Sequence, residues 1–300
     1  MIIGSAIVGL LVGLTGAGGG ALMTPMLILF FAVKPSSAIS SDLVASVVMR
    51  PVGSIVHMTK GTVNWALVGW MCLGSVPMAF VGSYLLHLMG GTKAAQDNVE
   101  LVLGAALLLG TAAILLRSWL DARNGSERLA AIETIKVRPA ATLAIGAVGG
   151  LVVGMTSVGS GTLMIVLLLF CYPMIGAKQL VGTDLTQAVP LTAAAALGAL
   201  AFGKVDFGLT GAVIIGSVPA VLIGSLLSSR APDKFIRPFI TIVIFASGLK
   251  YVGVSTDPLA VIVGVVIVGY LATKLIRRGK GGPAAEAPAK EPEPAGILKE

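Results

Sequence analysis

Two copies of one Gly-rich stretch decide the fold of this chain: Gly9-Leu-Leu-Val-Gly-Leu-Thr-Gly-Ala-Gly-Gly-Gly-Ala-Leu-Met23 and Gly150-Leu-Val-Val-Gly-Met-Thr-Ser-Val-Gly-Ser-Gly-Thr-Leu-Met164. Nine of the 15 aligned positions are identical. Farther along, Lys60–Ser83 aligns with Phe202–Ser225 at 10 of 24 positions, and both segments contain Gly-Ser-Val-Pro. The offset is 141 residues in the first pair and 142 in the second. The chain is therefore a duplication of one structural unit.

The composition is that of a membrane protein. Of 300 residues, 56% are hydrophobic and 12% are charged, and the mean hydropathy is +0.96. A soluble domain is about 25% charged. Apolar runs such as Val99–Leu116 and Leu209–Leu227 can each cross a hydrocarbon core, which takes about 20 residues. Because these runs are continuous and lack the alternation of barrel strands, the predicted fold class is an all-α polytopic bundle in a lipid bilayer.

Each repeat is predicted to contain a Gly-broken helical hairpin followed by three transmembrane helices. The first repeat spans residues 1–117 and the second spans 140–254, with a basic link at 118–139. One extra C-terminal transmembrane helix is predicted at 257–277, before a disordered tail at 279–300. The hairpins are predicted at 2–33 and 140–172, and the other helices at about 37–58, 63–89, 98–117, 178–201, 205–228 and 235–253.

The distribution of charge predicts the orientation of the repeats. The link Arg117–Arg138 and the segment Lys274–Lys280 are the most basic parts of the chain, which places both in the cytoplasm. These loops account for the net charge of +7 without a nucleic-acid partner. Five predicted stretches lie between the two segments, but two segments on the same side of the membrane must be separated by an even number of crossings. One stretch should therefore not cross, and 140–172 is the natural candidate for a re-entrant hairpin. The two structural repeats are then predicted to be inverted.

Glycine interrupts both hairpins, at Thr15-Gly-Ala-Gly-Gly-Gly20 and Thr156-Ser-Val-Gly-Ser-Gly161. Glycine costs about 1 kcal/mol against alanine inside a helix, so both turns should be unwound. The helix that restarts after each turn offers free N–H groups and a positive dipole end, which suit an anion without a fixed full charge. The alternative is that the glycines only let helices pack closely. The predicted substrate-binding residues in these turns are Thr15, Gly16, Gly18, Gly19, Gly20, Thr156, Ser157, Gly159, Ser160 and Gly161.

Two aspartates, Asp42 and Asp184, occupy equivalent depths in the next helix of each repeat. Each lies about 9 Å from the start of its helix, and an ionisable group at membrane depth indicates function. We therefore predict that both aspartates serve coupling or gating and that Ser41 and Thr183 beside them contact substrate. The alternative is that each aspartate only accepts N–H bonds from a neighbouring broken helix. Arg50, two helical turns after Asp42, is assigned to the same coupling or gating set because it can pair with Asp42 or contact an anion.

No catalytic motif accompanies these residues in the sequence. Asn64 and Asp206 stand where helices begin and are interpreted as N-caps. Cys72, Cys171 and His57 are interpreted as packing residues. The sequence contains no nucleophile–base set, metal-ligand spacing or nucleotide-binding loop. The chain is therefore predicted to be no enzyme and to use no cofactor and no metal.

At the two Gly-rich turns, at Ser40-Ser-Asp-Leu43 with Gly182-Thr-Asp-Leu185 and at the Gly-Ser-Val-Pro elements, the chain resembles the sulfite exporter TauE/SafE family. The resemblance covers Gly9 to about Val254 and implies a cytoplasmic (cell) membrane and transport of sulfite, organosulfonates or related anions. We therefore expect a multi-pass secondary transporter for a small oxyanion, acting as an exporter, with proton coupling as an option. An uncoupled anion channel and a membrane-embedded enzyme are the alternatives, and both a monomer and a homo-oligomer stay open.

Overall fold

The computed structural model describes residues 1–15, 19–59, 61–89, 93–124, 137–172, 175–227, 233–255, 257–259 and 261–265. Within these ranges the chain is almost entirely helical and forms no strand. The short segments 257–259 and 261–265 are also helical. The principal helices are α1 Ile2–Thr15, α2 Gly20–Phe31, α3 Pro35–Thr59, α4 Trp65–Met89, α5 Lys93–Asn124, α6 Pro139–Thr156, α7 Leu163–Cys171, α8 Ala177–Phe202, α9 Phe207–Leu227 and α10 Asp233–Tyr251.

The helices begin and end close to the predicted positions. Asn64 and Asp206 are confirmed as N-caps, because their Oδ1 atoms accept bonds from the N–H groups of Leu67 and Leu209 at 3.2 and 3.0 Å. The largest difference concerns α5, which continues to Asn124 and so enters the predicted link 118–139. Residues 125–136 of that link, most of the predicted final helix and the whole predicted tail lie outside the described residues.

Five helices in the described part of the chain are long and apolar enough to cross a membrane: α4, most of α5, α6, most of α8 and α9. Helix α3 spans 25 residues, or about 37 Å, but is not in this group. It carries Asp42, Arg50 and a series of buried serines, and these polar residues lower its hydropathy. The buried polar side chains of α3 are therefore the reason why its apolar signal is weak.

Both Gly-rich segments form hairpins whose two ends lie together. In the first hairpin, a Cβ placed on Gly4 would lie 3.3 Å from Cε2 of Phe31, at the far end of α2. In the second, the backbone N–H of Arg138 donates to the hydroxyl of Tyr172 at 2.8 Å. The same hydroxyl lies 2.5 Å from Oγ1 of Thr142. The chain thus reverses direction at each Gly-rich turn.

The two halves exchange packing partners. Helix α1 lies on α9 where a Cβ on Gly9 would meet the carbonyl oxygen of Ser217 at 2.7 Å. The equivalent contact in the other half brings α6 onto α4, where a Cβ on Gly150 would meet the carbonyl oxygen of Ser75 at 2.4 Å. Small residues allow such close backbone approach between membrane helices. Each hairpin is therefore packed mainly against a helix of the other half.

Equivalent helices pack in an antiparallel arrangement. Near the start of α3, Oγ of Ser40 would lie 2.7 Å from a Cβ on Gly203, which follows the end of α8. Near the end of α3, Oγ of Ser54 donates to Oγ1 of Thr186, near the start of α8, at 3.3 Å. Helices α3 and α8 therefore run in opposite directions.

Each buried apolar cluster combines residues from both halves. One apolar cluster includes Met71 and Met164, and the other includes Val213 and Met23, which are the equivalent positions of the repeat. The first cluster includes residues of both α3 and α8, and the second includes residues of α3. Helix α3 carries the candidate site residues Ser41, Asp42 and Arg50, and α8 carries Thr183 and Asp184.

Candidate functional site

The second Gly-rich turn is shaped by backbone conformations that favour glycine. Ser157 has φ +59°, Gly159 has φ +123° and Gly161 has φ +85°. Residues other than glycine rarely adopt positive φ angles. Glycine at 159 and 161 therefore allows the chain to leave α6 and enter α7 within a few residues. The hydroxyl of Thr156 accepts from the N–H of Val158 at 3.1 Å and donates to the carbonyl oxygen of Val152 at 2.7 Å. Thr156 therefore holds the turn itself in place.

The two Gly-rich turns touch each other. A Cβ on Gly20 would lie only 1.8 Å from the carbonyl oxygen of Ser157, so only glycine fits at this position. Gly19 is different, because its nearest neighbour would be Cε of Met49 at 3.6 Å, an ordinary van der Waals contact. In the first turn Gly16, Gly18 and the side chain of Thr15 lie outside the described residues. The close packing anticipated as the alternative role of glycine applies to Gly20.

Asp42 joins the first hairpin to the second turn. Its Oδ2 accepts from Oγ1 of Thr24 on α2 at 3.0 Å and from Oγ of Ser157 at 2.7 Å. The side chain is 0% exposed, and its Oδ1 has no hydrogen-bond partner among the described residues. We call Asp42, Thr24 and Ser157 the carboxylate clasp. It connects three separate elements through one buried carboxylate.

Arg50 contacts the same turn from the same helix. Its Nη1 donates to Oγ of Ser160, while Nε and Nη2 find no partner among the described residues. The side chain is 9% exposed. Both Asp42 and Asp184 lie within electrostatic reach of its guanidinium. Helix α3 therefore presents a buried positive charge with two unpartnered donor nitrogens beside the second Gly-rich turn, where the sequence predicted dipole ends and no full charge.

Ser41 and Thr183 serve the start of another helix. Oγ of Ser41 accepts from the N–H of Asp206 at 3.1 Å, before α9. Oγ1 of Thr183 accepts from the N–H of Asn64 at 3.0 Å, before α4. These two bonds are equivalent in the repeat. The observed bonds of both hydroxyls therefore lie at helix starts, away from the bonds that join Ser157 and Ser160 to α3.

Two features of this site could not be found by reading one segment at a time. Thr24 had no signal beyond being a hydroxyl in the apolar run of α2. The partner of Arg50 is 110 residues away in sequence, whereas the spacing along α3 suggested only Asp42. The arrangement that results is chemically simple. A guanidinium with unused donors, a hydroxyl and the N-terminal end of α7 can together bind a small oxyanion.

Comparison with known proteins covers both repeats. Residues 1–251 match the family described as Sulfite exporter TauE/SafE. A probable membrane transporter protein, YjnA, of Bacillus subtilis (strain 168) is 37% identical over 246 residues, which are 82% of this chain and 96% of that protein. A probable membrane transporter protein of Xylella fastidiosa (strain 9a5c) is 27% identical over 227 residues, 75% of this chain and 82% of that protein. No solved structure matches the chain significantly.

Proposed function

The chain belongs to the sulfite exporter TauE/SafE family of membrane transporters, as its motifs predicted, and from that premise we propose that it carries a small oxyanion. The five apolar helices and the membrane-transporter relatives indicate a multi-pass membrane protein. The proposed cargo is sulfite, an organosulfonate or an anion of the same geometry. The proposed location is the cytoplasmic membrane, and the proposed direction is export, which the family name suggests.

One observation supports this cargo above all others: the unused donors of Arg50. A buried guanidinium whose N–H groups lack partners destabilises the fold, so its presence indicates a role in binding a negatively charged ligand. Its planar fork matches the oxygens of an oxyanion in a bidentate arrangement. Nε and Nη2 lack partners among the described residues, and Nη1 is held by Ser160. We propose that the anion occupies the space beside these two atoms, at the turn that contains Ser157, Gly159, Ser160 and Gly161.

We also propose that the two repeats lie in the bilayer with opposite orientations. The contacts of Ser40 with Gly203 and of Ser54 with Thr186, which make the equivalent helices α3 and α8 antiparallel, support this topology. The hairpin closures at Phe31 and Tyr172 support entry and exit of each broken hairpin on one side. The cytoplasmic placement of the basic link stays a prediction, and labelling of single cysteines from each side of the membrane tests it.

Uptake by proteoliposomes tests the proposed cargo. The protein should transport sulfite, sulfate or methanesulfonate, and chloride should compete poorly because it offers no bidentate oxygens. Arg50→Gln should weaken binding of the transported oxyanion by about 2 kcal/mol, or roughly thirtyfold, since a charged hydrogen-bond donor is lost. Arg50→Lys keeps the positive charge but loses the bidentate geometry of the guanidinium. Its affinity for the oxyanion should lie between that of the unchanged protein and that of Arg50→Gln.

Arg138→Gln is the matched control for Arg50→Gln. It removes the same group at the start of α6, about 27 Å along that helix from the second turn. Its uptake should equal that of the unchanged protein. Equal affinity in Arg50→Gln and Arg138→Gln, with both proteins folded, would remove the proposed site. Flux that never exceeds equilibration under any ion gradient would favour the uncoupled channel.

A further inference from the structure

The carboxylate clasp and the guanidinium meet the same turn but use different residues of it. Ser157 donates to Asp42, and three residues later Ser160 accepts from Arg50. The free atoms differ in the same way, because Oδ1 of Asp42 has an unused lone pair and Arg50 has unused N–H groups among the described residues. The second turn therefore contacts a carboxylate that can accept a proton, Asp42, and a guanidinium that can bind an anion, Arg50.

The charges at this turn limit what can bind. With both aspartates ionised, Asp42, Asp184 and Arg50 together carry a net charge of −1. A monoanion would raise this to −2 in a buried region, where like charges repel far more strongly than in water. Addition of one proton restores −1. This charge balance favours uptake of a proton by one of the two carboxylates when the anion binds.

Asp42 is the better proton acceptor of the two carboxylates, because Arg50 interacts more strongly with Asp184 than with Asp42. A proton added to Oδ1 breaks no hydrogen bond, and Oδ2 keeps its two hydroxyl donors. Helix α2 and residues 157–162 contribute no titratable side chain. Three charged groups on neighbouring helices have other partners: Asp206 caps α9, Glu100 of α5 lies near Tyr251, and Asp184 of α8 interacts electrostatically with Arg50.

We propose that Asp42 carries one proton for each oxyanion that binds at Arg50, so that the two ions cross the membrane together, inward along a pH gradient and outward when the anion gradient exceeds it. This inference rests on the proposed function and adds the coupling ion, its carrier and its stoichiometry. The proton adds to Oδ1 of the carboxylate on one side of the membrane and leaves the carboxylic acid on the other. The clasp then links the proton to movement, because a neutral carboxylic acid accepts the bonds of Thr24 and Ser157 more weakly than a carboxylate does. Transport of a monoanion by this route moves no net charge.

The test uses methanesulfonate, a monoanion whose charge does not change between acidic and neutral pH. Proteoliposomes are loaded at neutral pH, placed in acidic buffer, and held at zero potential with potassium and valinomycin. A gradient of about one pH unit should drive accumulation of up to about tenfold. The accumulation should not change when the potential is varied. Calorimetry in two buffers of different ionisation enthalpy should give one proton taken up for each anion bound.

Variants assign the proton to Asp42. In Asp42→Asn, accumulation should be lost while downhill uptake stays measurable, which also shows that the variant is folded. Asp206→Asn is the matched control, because it makes the same chemical change and asparagine still caps α9. It should accumulate methanesulfonate as the unchanged protein does. Loss of accumulation in Asp184→Asn together with its retention in Asp42→Asn would overturn the assignment.

Two further outcomes separate this inference from the proposed function. Methanesulfonate uptake that depends on Arg50 but ignores the pH gradient, with no proton taken up in calorimetry, would overturn coupling and leave the oxyanion site standing. Absence of any uptake or binding that depends on Arg50 would overturn the proposed function and this inference with it.

Discussion

The second Gly-rich turn carries hydroxyls at two places where the first carries glycine: Ser157 replaces Gly16, and Ser160 replaces Gly19. Ser157 donates to Asp42 of α3, and Ser160 accepts from Arg50 of α3. In the second repeat, Asp184 on α8 is the equivalent of Asp42. Among the described residues, the two halves therefore have equivalent packing contacts, whereas the turn that bonds to Asp42 and Arg50 is the second one.

The position equivalent to Arg50 makes the same point. It is Thr192 on α8, whose hydroxyl donates to the carbonyl oxygen of Ala188 in its own helix at 2.7 Å. In the first Gly-rich turn, glycines occupy the positions equivalent to Ser157 and Ser160. One positive charge thus serves two carboxylates, and a second would have added another buried charge without a hydroxyl partner. The packing contacts, by contrast, occur in matched pairs.

The largest expected effect breaks the contact between the two turns. Gly20→Ala places a methyl group 1.8 Å from the carbonyl oxygen of Ser157, so the turns must move apart. We expect a loss of about 3 kcal/mol in the free energy of unfolding, with loss of oxyanion binding. Gly19→Ala is the control, since Gly19 has helical φ −55° and ψ −34° and room for a methyl group. Unfolding in mixed micelles measures both, and equal stability would show that the turns do not touch.

The next prediction tests whether the equivalent helix contacts of the two halves contribute equally to stability. A Cβ on Gly13 would meet the carbonyl oxygen of Val221 at 2.4 Å, and one on the equivalent Gly154 would meet that of Ala79 at 2.1 Å. Either alanine substitution should cost about 2 kcal/mol by overpacking. The controls are an equivalent pair with open space, Gly69 and Gly211. Alanine at those two positions should be neutral or stabilising, by up to about 1 kcal/mol.

These four variants are compared by unfolding in mixed micelles. The Gly13 and Gly154 variants should lose stability to a similar extent. A large loss in only one of them would mean that the halves do not exchange packing partners as equals.

A smaller effect concerns the polar contacts of the second turn alone. Ser160→Ala removes the acceptor of Nη1 of Arg50 and should cost about 2 kcal/mol, because a hydrogen bond to a charged group is lost. Ser217→Ala is the control, because Ser217 is a buried serine whose hydroxyl donates to the carbonyl oxygen of Val213 in its own helix and has no other partner among the described residues. That change should cost about 0.5 kcal/mol, since such local bonds add little to a helix. Similar losses in the two variants would mean that Arg50 does not depend on Ser160.

The smallest effect comes from the caps, which the two halves share. Exchange of Asn64→Asp and Asp206→Asn should change the free energy of unfolding by less than about 0.5 kcal/mol, because both residues are good N-caps. Asn64→Ala and Asp206→Ala should each cost about 1 kcal/mol. Thermal unfolding of the exchanged and the truncated variants provides the measurement. A large loss on exchange would show that the carboxylate of Asp206 does more than cap α9.

Much of the fold could be predicted from the sequence because its causes are local. The breaks follow from glycine runs, and the starts of α4 and α9 follow from Asn64 and Asp206, whose caps form within three residues. The length of α5 was underestimated, because its apolar run ends at Leu116 while the helix continues through Asn124. Ser157, Ser160, Asp42 and Arg50 were named from the sequence, but the contacts that join Ser157 to Asp42 and Ser160 to Arg50 were not predicted.

The sequence by itself determined the duplication, the helical membrane fold, the position of both broken turns and the candidate polar residues. These depend on composition and on neighbours along one chain segment. Only the tertiary structure decided that Gly20 packs on Ser157, that Thr24 shares a carboxylate with Ser157, and that Arg50 donates to Ser160. The reason is physical. Each of these contacts joins separate helices or turns, and their geometry depends on how the two halves exchange packing partners, which no local pattern encodes.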